Sequence, residues 1–454
     1  MEPVSNFFPD AQRNGMRSSG RRGISWMNYA GAGALVAVGY MDPGNWATAL
    51  AGGARYGYRL LSVVALASLM AMLLQWIAAR VGVVTGRDLA QLCRERFSRR
   101  TTLALWIASE VAIVACDVAE VVGSAVALQL LLHVPLWVGV LLSALGTLGM
   151  LVLHGRSRSL EATITLLLLF IAICFVAQLA LAGPDWSEAA HGLVPSSELV
   201  RDAGIVWLAV GIVGATVMPH NLYLHSALVK NHGLEDAKST FAIARGKTAA
   251  LLTPLETAET RRKLTATLRA VSIDTLGSLS FAFAINASLL IVAAAVFHAS
   301  GHTDVSDLSE AHRLLAPLVG SHWASLLFAS ALLACGLNST VTGTLAGQAV
   351  MEGFLQLRLA APQRALVTRA LAIGPALAAV LIWGEHGSAN LLIASQVVLS
   401  LTLPLAVVPL IRFAADRTLL ADWRLRGVTL WLAWMAAGII VLLNIVLLWQ
   451  SVTG

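Results

Sequence analysis

Long apolar runs alternate with short polar stretches along almost the whole chain. Most of the runs contain about 20 residues, the length that an α-helix needs to cross about 30 Å of hydrocarbon. The pattern therefore predicts an all-α membrane protein with about 11 transmembrane helices. The predicted spans are residues 29–50, 60–83, 102–131, 136–153, 160–181, 203–228, 267–297, 322–355, 366–383, 390–413 and 429–449.

The first predicted span contains four consecutive residues that do not suit a membrane helix, Asp42, Pro43, Gly44 and Asn45. Proline has no backbone N–H and glycine is a poor helix former, so we expect the helix to break here. A break at membrane depth is tolerated only where the backbone is buried in protein or lines a watery cavity. An unwound turn that carries a carboxylate, a carboxamide and free carbonyl groups predicts a cation site.

The sixth predicted span has a comparable interruption at Pro219. One interpretation is that this proline only kinks a packed helix. Two discontinuous helices, the first and the sixth, instead favour a five-plus-five inverted repeat, in which substrate binds near the midplane between broken helices. This hypothesis makes residues 26–454 one transmembrane domain. Its first repeat is residues 26–181, its second repeat is residues 203–413, and an additional helix covers residues 429–449.

The composition supports a membrane protein, because 57% of the residues are hydrophobic and only 12% are charged. The net charge of +6 does not indicate nucleic-acid binding, since the basic residues lie mostly in short loops after the even-numbered spans. This bias predicts that those loops and a polar tail, residues 1–25, are cytoplasmic, and that the C-terminus lies outside. Arg55 and Arg59 are exceptions. The longest loop, residues 230–262, is predicted to be a solvated connector or to hold a short amphipathic helix.

Four residues at the two interruptions offer ligands to a metal ion: the side chains of Asp42, Asn45 and Met218 and the backbone carbonyl of Ala215. A thioether binds Mg²⁺ or Ca²⁺ poorly, whereas Mn²⁺, Fe²⁺, Co²⁺ and Cd²⁺ accept it more readily. The alternative for Met218 is packing in the core. An unpaired charge at the bilayer centre costs at least about 2.5–3.5 kcal/mol, so Asp42 is expected to hold either a metal ion or a proton.

The third predicted span carries three acids, Glu110, Asp117 and Glu120. At about 100° per residue, the second lies roughly 20° and the third roughly 80° from the first, so they share one helix face. Acids along a membrane helix predict a proton relay. His220, beside the second interruption, suits proton transfer because its unperturbed pKa is about 6.5. Arg369 can pair with the acids; the alternative is that these ion pairs only hold helices together.

The motifs that run from Asp42 to Asn45 and from Met218 to His220 resemble two signature motifs of the Nramp family, the natural resistance-associated macrophage proteins. The similarity continues through residues 52–58, 117–120 and 395–400. It implies a LeuT-like fold that moves divalent transition metals, coupled to protons, into the cytoplasm.

The resemblance also assigns roles to individual residues. It assigns Asp42, Asn45, Ala215 and Met218 to the metal site and adds Gln396 of the tenth span, while Asn286 either lies near an outer gate or bonds two helices together. The family usually has two adjacent basic residues where this chain has Thr368 and Arg369. The resemblance therefore does not define which residues form the inner proton exit.

These expectations describe a proton-coupled importer of Mn²⁺, and also of Fe²⁺, Cd²⁺ and Co²⁺, in a bacterial inner (plasma) membrane. Its expected partners are the metal ion, protons and the lipid bilayer, with no cofactor, no nucleic acid and no obligate protein partner. Two alternatives stay open: a sodium-coupled amino-acid carrier, which needs no methionine at the second break, and a receptor that binds metal without moving it. A membrane enzyme is disfavoured, because no HExxH motif, phosphate loop or nucleophile–base pair occurs.

Overall fold

The computed structural model describes residues 31–154, 158–196, 199, 201–230, 254–357, 361–383 and 386–453. Every regular element within these ranges is helical. The predicted cytoplasmic tail and residues 231–253 of the longest loop lie outside the described residues, and so does the side chain of Arg369.

Seventeen α-helices follow one another in the described part of the chain. In order they are α1 (Ala32–Gly39), α2 (Pro43–Tyr56), α3 (Leu61–Thr85), α4 (Leu89–Arg96), α5 (Arg99–Leu132), α6 (Leu136–His154), α7 (Arg158–Ala182), α8 (Trp186–Gly192), α9 (Ala203–Val217), α10 (Pro219–Val229), α11 (Pro254–Ala293), α12 (Leu308–Val319), α13 (His322–Leu355), α14 (Ala361–Trp383), α15 (His386–Ala415), α16 (Arg417–Leu420) and α17 (Gly427–Thr453). A 3₁₀ turn, Gly57–Leu60, joins α2 to α3, and a π-helical segment, Ala294–His298, extends α11.

Eight helical stretches in the described ranges are long and apolar enough to cross a membrane, which makes the chain a multi-pass membrane protein. This number is smaller than the predicted one for two reasons. The first predicted span is divided between α1 and α2, and α2 continues into α3 as a single stretch, Pro43–Thr85. In α6 and α14 the apolar stretches found among the described side chains, Leu136–Thr147 and Ala370–Ile382, contain fewer than 18 residues and are not counted among the eight.

The first interruption lies between α1, which ends at Gly39, and α2, which begins at Pro43. Proline suits the first position of a helix, where its missing N–H leaves no hydrogen bond unmade. Asp42 caps α2, because its Oδ1 accepts a hydrogen bond from the backbone N–H of Asn45 at 2.9 Å. The interruption thus covers residues 40–42, earlier than predicted, and Asn45 belongs to the first turn of α2.

The second interruption is the single residue Met218, between the end of α9 and Pro219 at the start of α10. Its φ of 44° and ψ of 104° lie in a region that costs a non-glycine residue about 1–3 kcal/mol. The prediction that Ala215 lies in the second interruption is wrong, because this residue lies in the last turn of α9. Its carbonyl group is nevertheless one of the last four of a helix, which have no partner inside the helix.

Both interrupted pairs lie at the centre of the bundle. Helix α2 packs against α5, α9, α11, α13 and α15, while α10 packs against α1, α3, α13 and α15. Close approach depends on glycine: a Cβ at Gly123 of α5 would overlap the ring of Pro43. The two interruptions are therefore enclosed by protein on several sides, as non-helical backbone at membrane depth requires.

A buried ion pair fixes the far end of α10. Lys230 Nζ lies 2.6 Å from Asp88 Oδ2, and the two side chains are only 9% and 3% exposed. Asp88 also caps α4, accepting from the backbone N–H of Gln91 at 2.8 Å. The hydroxyl of Ser226, on α10, accepts from the backbone N–H of Leu89 at 2.9 Å. These contacts dock α10 onto α4 through charge and backbone hydrogen bonds together.

Candidate metal centre

The side chain of Asn45 connects the two interruptions. Its Nδ2 donates to Asp42 Oδ1 at 2.6 Å and to the carbonyl oxygen of Ala215 at 3.0 Å. All three residues are buried. Three of the predicted metal ligands, Asp42, Asn45 and Ala215 at the end of α9, are therefore joined through the Asn45 amide.

Helix α15 brings Gln396 against both interrupted pairs. A Cβ at Gly44 would overlap the side-chain amide of Gln396, and a Cβ at Gly214 of α9 would overlap its backbone oxygen. Gln396 is fully buried, and its Nε2 donates to Ser395 Oγ at 3.0 Å. Gln396, the fifth predicted ligand, thus lies where α2, α9 and α15 converge.

Met218 is fully buried and packs in a small cluster with Cys116 of α5 and Leu399 of α15. Leu399 follows Gln396 by about one turn of α15. Met218 therefore contacts this helix about one turn away from Gln396. The Met218 sulfur accepts a hydrogen bond from Asn221 Nδ2 at 3.3 Å. The thioether is therefore held in a defined place beside the second interruption.

Two side-chain oxygens at this convergence have no hydrogen-bond donor among the described residues: Asp42 Oδ2 and Gln396 Oε1. A buried acceptor that is left unsatisfied costs about 1–3 kcal/mol. Oxygens of this kind can serve as ligands of a bound cation. Hard oxygen atoms combined with a thioether sulfur make up a donor set that suits a divalent transition metal better than Mg²⁺ or Ca²⁺.

Asp117 and Glu120 of α5 are buried together against α13. A Cβ at Gly343 of α13 would lie 3.2 Å from Glu120 Oε1 and 3.4 Å from Asp117 Oδ1, so both carboxylates face the same backbone. Glu110 lies elsewhere on α5, half-buried, where it accepts from Trp106 Nε1 at 3.1 Å. The structure thus brings together two of the three acids predicted for a proton relay and leaves the third nearer the start of the helix.

His220 is buried in the first turn of α10, and its Nδ1 has no hydrogen-bond partner in the part of the chain that the structure describes. Its position, two residues after Met218, is beside the predicted metal ligand. Arg369 lies on α14, which packs against α5.

A buried polar chain that the sequence reasoning missed extends from the first interruption. Gln75 Nε2 donates to the hydroxyl of Tyr40 at 2.9 Å, and Gln75 Oε1 lies 3.0 Å from His225 Nδ1. The other ring nitrogen of His225 lies 3.4 Å from Thr275 Oγ1. Asn286 Nδ2 of α11 donates to the carbonyl oxygen of Tyr40, in the first interruption, at 2.9 Å. The available signal was a single polar residue, such as Gln75, in an otherwise apolar span.

An all-helical membrane bundle with a buried polar centre between two interrupted helices is the architecture of a secondary transporter. The nucleobase-cation-symport-1 family transporter Mhp1 shares this LeuT-like fold with a TM-score of 0.55 over 93% of this chain and 91% of that chain, and its 14% identity supports likeness of fold alone.

The sequence model described as natural resistance-associated macrophage protein-like (Nramp) matches residues 33–450, and the chain belongs to this family. It is 48% identical to the divalent metal cation transporter MntH of Bradyrhizobium diazoefficiens over 95% of this chain and 92% of that protein. It is 36% identical to the manganese transporter of Eremococcus coleocola, with a TM-score of 0.80, over 94% of this chain and 87% of that chain. The family and these relatives are transporters and not enzymes.

Proposed function

We propose that this protein is a proton-coupled secondary transporter that imports divalent transition metal ions, such as Mn²⁺, Fe²⁺, Cd²⁺ or Co²⁺, by alternating access. The observation that carries the proposal is the pair of buried, donor-free oxygens, Asp42 Oδ2 and Gln396 Oε1, where the interrupted helices converge. Membership of the Nramp family supports it, and so do the names of the relatives, a divalent metal cation transporter and a manganese transporter.

In this proposal Asp42, Asn45, Ala215, Met218 and Gln396 bind the metal ion. The carboxylate neutralises part of its charge, and the neutral oxygens replace part of its hydration shell. The thioether selects against Mg²⁺ and Ca²⁺, which bind sulfur poorly. The Asn45 Nδ2 group donates one hydrogen bond to Asp42 Oδ1 and another to the carbonyl oxygen of Ala215. The amide therefore has to turn before its own oxygen can face a cation.

The membrane arrangement is part of the same proposal. Eleven spans are counted when α1 with α2, α9 with α10, and the shorter α6 and α14 each make one crossing. Spans one to five and six to ten then form the inverted repeats, residues 26–181 and 203–413, and the last helix follows them. The Lys and Arg bias supports a cytoplasmic N-terminus and an external C-terminus in a bacterial inner membrane.

The proton route is proposed to connect Asp42 and His220 with Asp117, Glu120 and Glu110, and to end near Arg369. Asp42 holds a proton when no metal is bound, because a bare carboxylate in a membrane core is costly. Release of that proton on metal binding couples the two ions at one site. The close burial of Asp117 with Glu120 supports a relay along α5.

Uptake of Mn²⁺ into proteoliposomes tests the proposal. We expect an inward proton gradient to drive accumulation, and a sodium gradient to have no effect. We expect Asp117→Asn to lose most of the gradient-driven uptake while Mn²⁺ affinity, measured by isothermal titration calorimetry, stays close to wild type. The reason is that Asp117, which lies beside Glu120 against Gly343 of α13, is not one of the proposed metal ligands.

Absence of uptake despite tight Mn²⁺ binding would favour a receptor, and uptake that follows sodium would favour the amino-acid carrier. Loss of Mn²⁺ affinity in Asp117→Asn would contradict the relay. Ser143→Ala is a matched control, since Ser143 is a buried polar residue on α6, outside the route. We expect it to transport like the wild type.

A further inference from the structure

The side chain of Asn221 makes the contact that fixes the Met218 sulfur. Its Nδ2 lies 3.3 Å from the sulfur, and its backbone N–H donates to the Met218 carbonyl oxygen at 3.2 Å. The same residue thus bonds both the side chain and the main chain of the interruption. A sulfur atom is a weak acceptor with two lone pairs, so one N–H bond leaves the second lone pair for a metal ion.

A methionine side chain needs such a contact to act as a ligand of fixed direction. It has three rotatable bonds and fills irregular space readily, so its sulfur can take many positions. The backbone of Met218, with φ at 44°, also lies outside the helical region that normally orients a side chain. The hydrogen bond from Asn221 therefore supplies an orientation that the local backbone does not.

The amide of Asn221 is itself held in place. A Cβ at Gly39, at the end of α1, would lie 2.6 Å from Asn221 Nδ2 and 3.4 Å from Thr342 Oγ1. The amide therefore fits between α1, α10 and α13. Its Oδ1 is buried and has no donor among the described residues. Its side-chain hydrogen bond among the described residues is the one to the Met218 sulfur.

We infer that Asn221 is a positioning residue for metal selectivity: it aims the Met218 thioether at the cation and so sets the preference for soft over hard divalent ions. The inference rests on the proposed function and deepens it. Its effect is expected on ions that use sulfur, such as Cd²⁺, and not on Ca²⁺. Hydrogen-bond partners of metal ligands typically change metal affinity by about 10–100-fold when they are replaced.

A double-mutant cycle tests the inference. The affinities of the purified full-length protein for Cd²⁺ and Ca²⁺ are measured by isothermal titration calorimetry for the wild type, Met218→Ala, Asn221→Leu and the double variant. Leucine keeps the branched shape of asparagine but cannot donate, and Asn221→Ala provides a second variant in case leucine does not fit. Asn338→Ala is the matched control, because Asn338 is a buried asparagine whose Nδ2 donates to the Ile164 carbonyl oxygen on α7.

We expect Asn221→Leu and Asn221→Ala to lower Cd²⁺ affinity by about 10-fold, with Ca²⁺ affinity unchanged. In the Met218→Ala background the same changes should have no further effect, and Asn338→Ala should leave the Cd²⁺/Ca²⁺ ratio at the wild-type value. Equal losses for both ions, or a full effect without Met218, would overturn the positioning role alone. A wild type that does not bind Cd²⁺ would overturn the proposed function together with it.

Discussion

Replacing Asp42 with Asn is expected to reduce Mn²⁺ uptake into proteoliposomes to the level of empty vesicles. The variant keeps an oxygen that can accept from the backbone N–H and the Nδ2 of Asn45, which bond Asp42 Oδ1 at 2.9 and 2.6 Å. The helix cap and the bridge to α9 are therefore expected to survive. What is lost is the negative charge, and with it the proposed exchange of a metal ion for a proton on one carboxyl group.

The matched control for this prediction is Asp307→Asn. Asp307 is also buried and also caps a helix, accepting from the backbone N–H of Ser309 at 2.7 Å. It caps α12, which is not one of the interrupted helices. We expect this control to transport normally. Uptake at the wild-type rate in Asp42→Asn, measured on protein that elutes as a folded species, would contradict the assignment of Asp42 to the metal site.

Removing the charge of Lys230 is expected to have the largest effect on stability. In Lys230→Met the Asp88 carboxylate stays buried without its partner, which lies 2.6 Å away in the wild type. Breaking one side of a buried ion pair costs about 3–5 kcal/mol, because the remaining charge is uncompensated. We therefore expect Lys230→Met to lower the free energy of unfolding by about this amount, measured by SDS-induced unfolding in mixed micelles.

An exposed ion pair near Asp88 provides a comparison for the buried pair. Arg87 pairs with Glu95, and their side chains are 42% and 36% exposed. Pairs of this kind contribute about 0–1 kcal/mol, so Arg87→Met should lower the free energy of unfolding by no more than that. If the two variants lose a similar free energy of unfolding, the contact between α10 and α4 does not depend on the buried ion pair.

The two interruptions were predictable because proline and glycine report directly on the backbone. Their bounds were not predictable, because proline disrupts the interior of a helix but is well tolerated at its first position. Pro43 and Pro219 both begin helices, so each break lies before its proline. The preceding helices end at Gly39 and Val217. These end points depend on packing against elements that are distant in sequence, and a single sequence does not reveal that packing.

Contacts within the site were easier to predict when the two residues are close in sequence. Asp42 and Asn45 are close in the chain, and their pairing followed from the shared turn. The Asn45 bond to Ala215, 170 residues away, depends on how α2 and α9 pack. Asn221 was missed because its contact with Met218 depends on a positive φ that no residue-type pattern encodes. Gln396 was found through family resemblance, since one polar residue in an apolar span does not reveal its neighbours.

X-ray absorption spectroscopy of the Mn²⁺-loaded protein tests most directly whether the interrupted helices hold the cation between oxygens and one thioether. We expect the wild type to show a sulfur atom in the coordination shell together with oxygen atoms, and Met218→Ala to show oxygen or nitrogen atoms alone. A wild-type spectrum without sulfur, or a sulfur signal that persists in Met218→Ala, would contradict a site built on Asp42 and Met218.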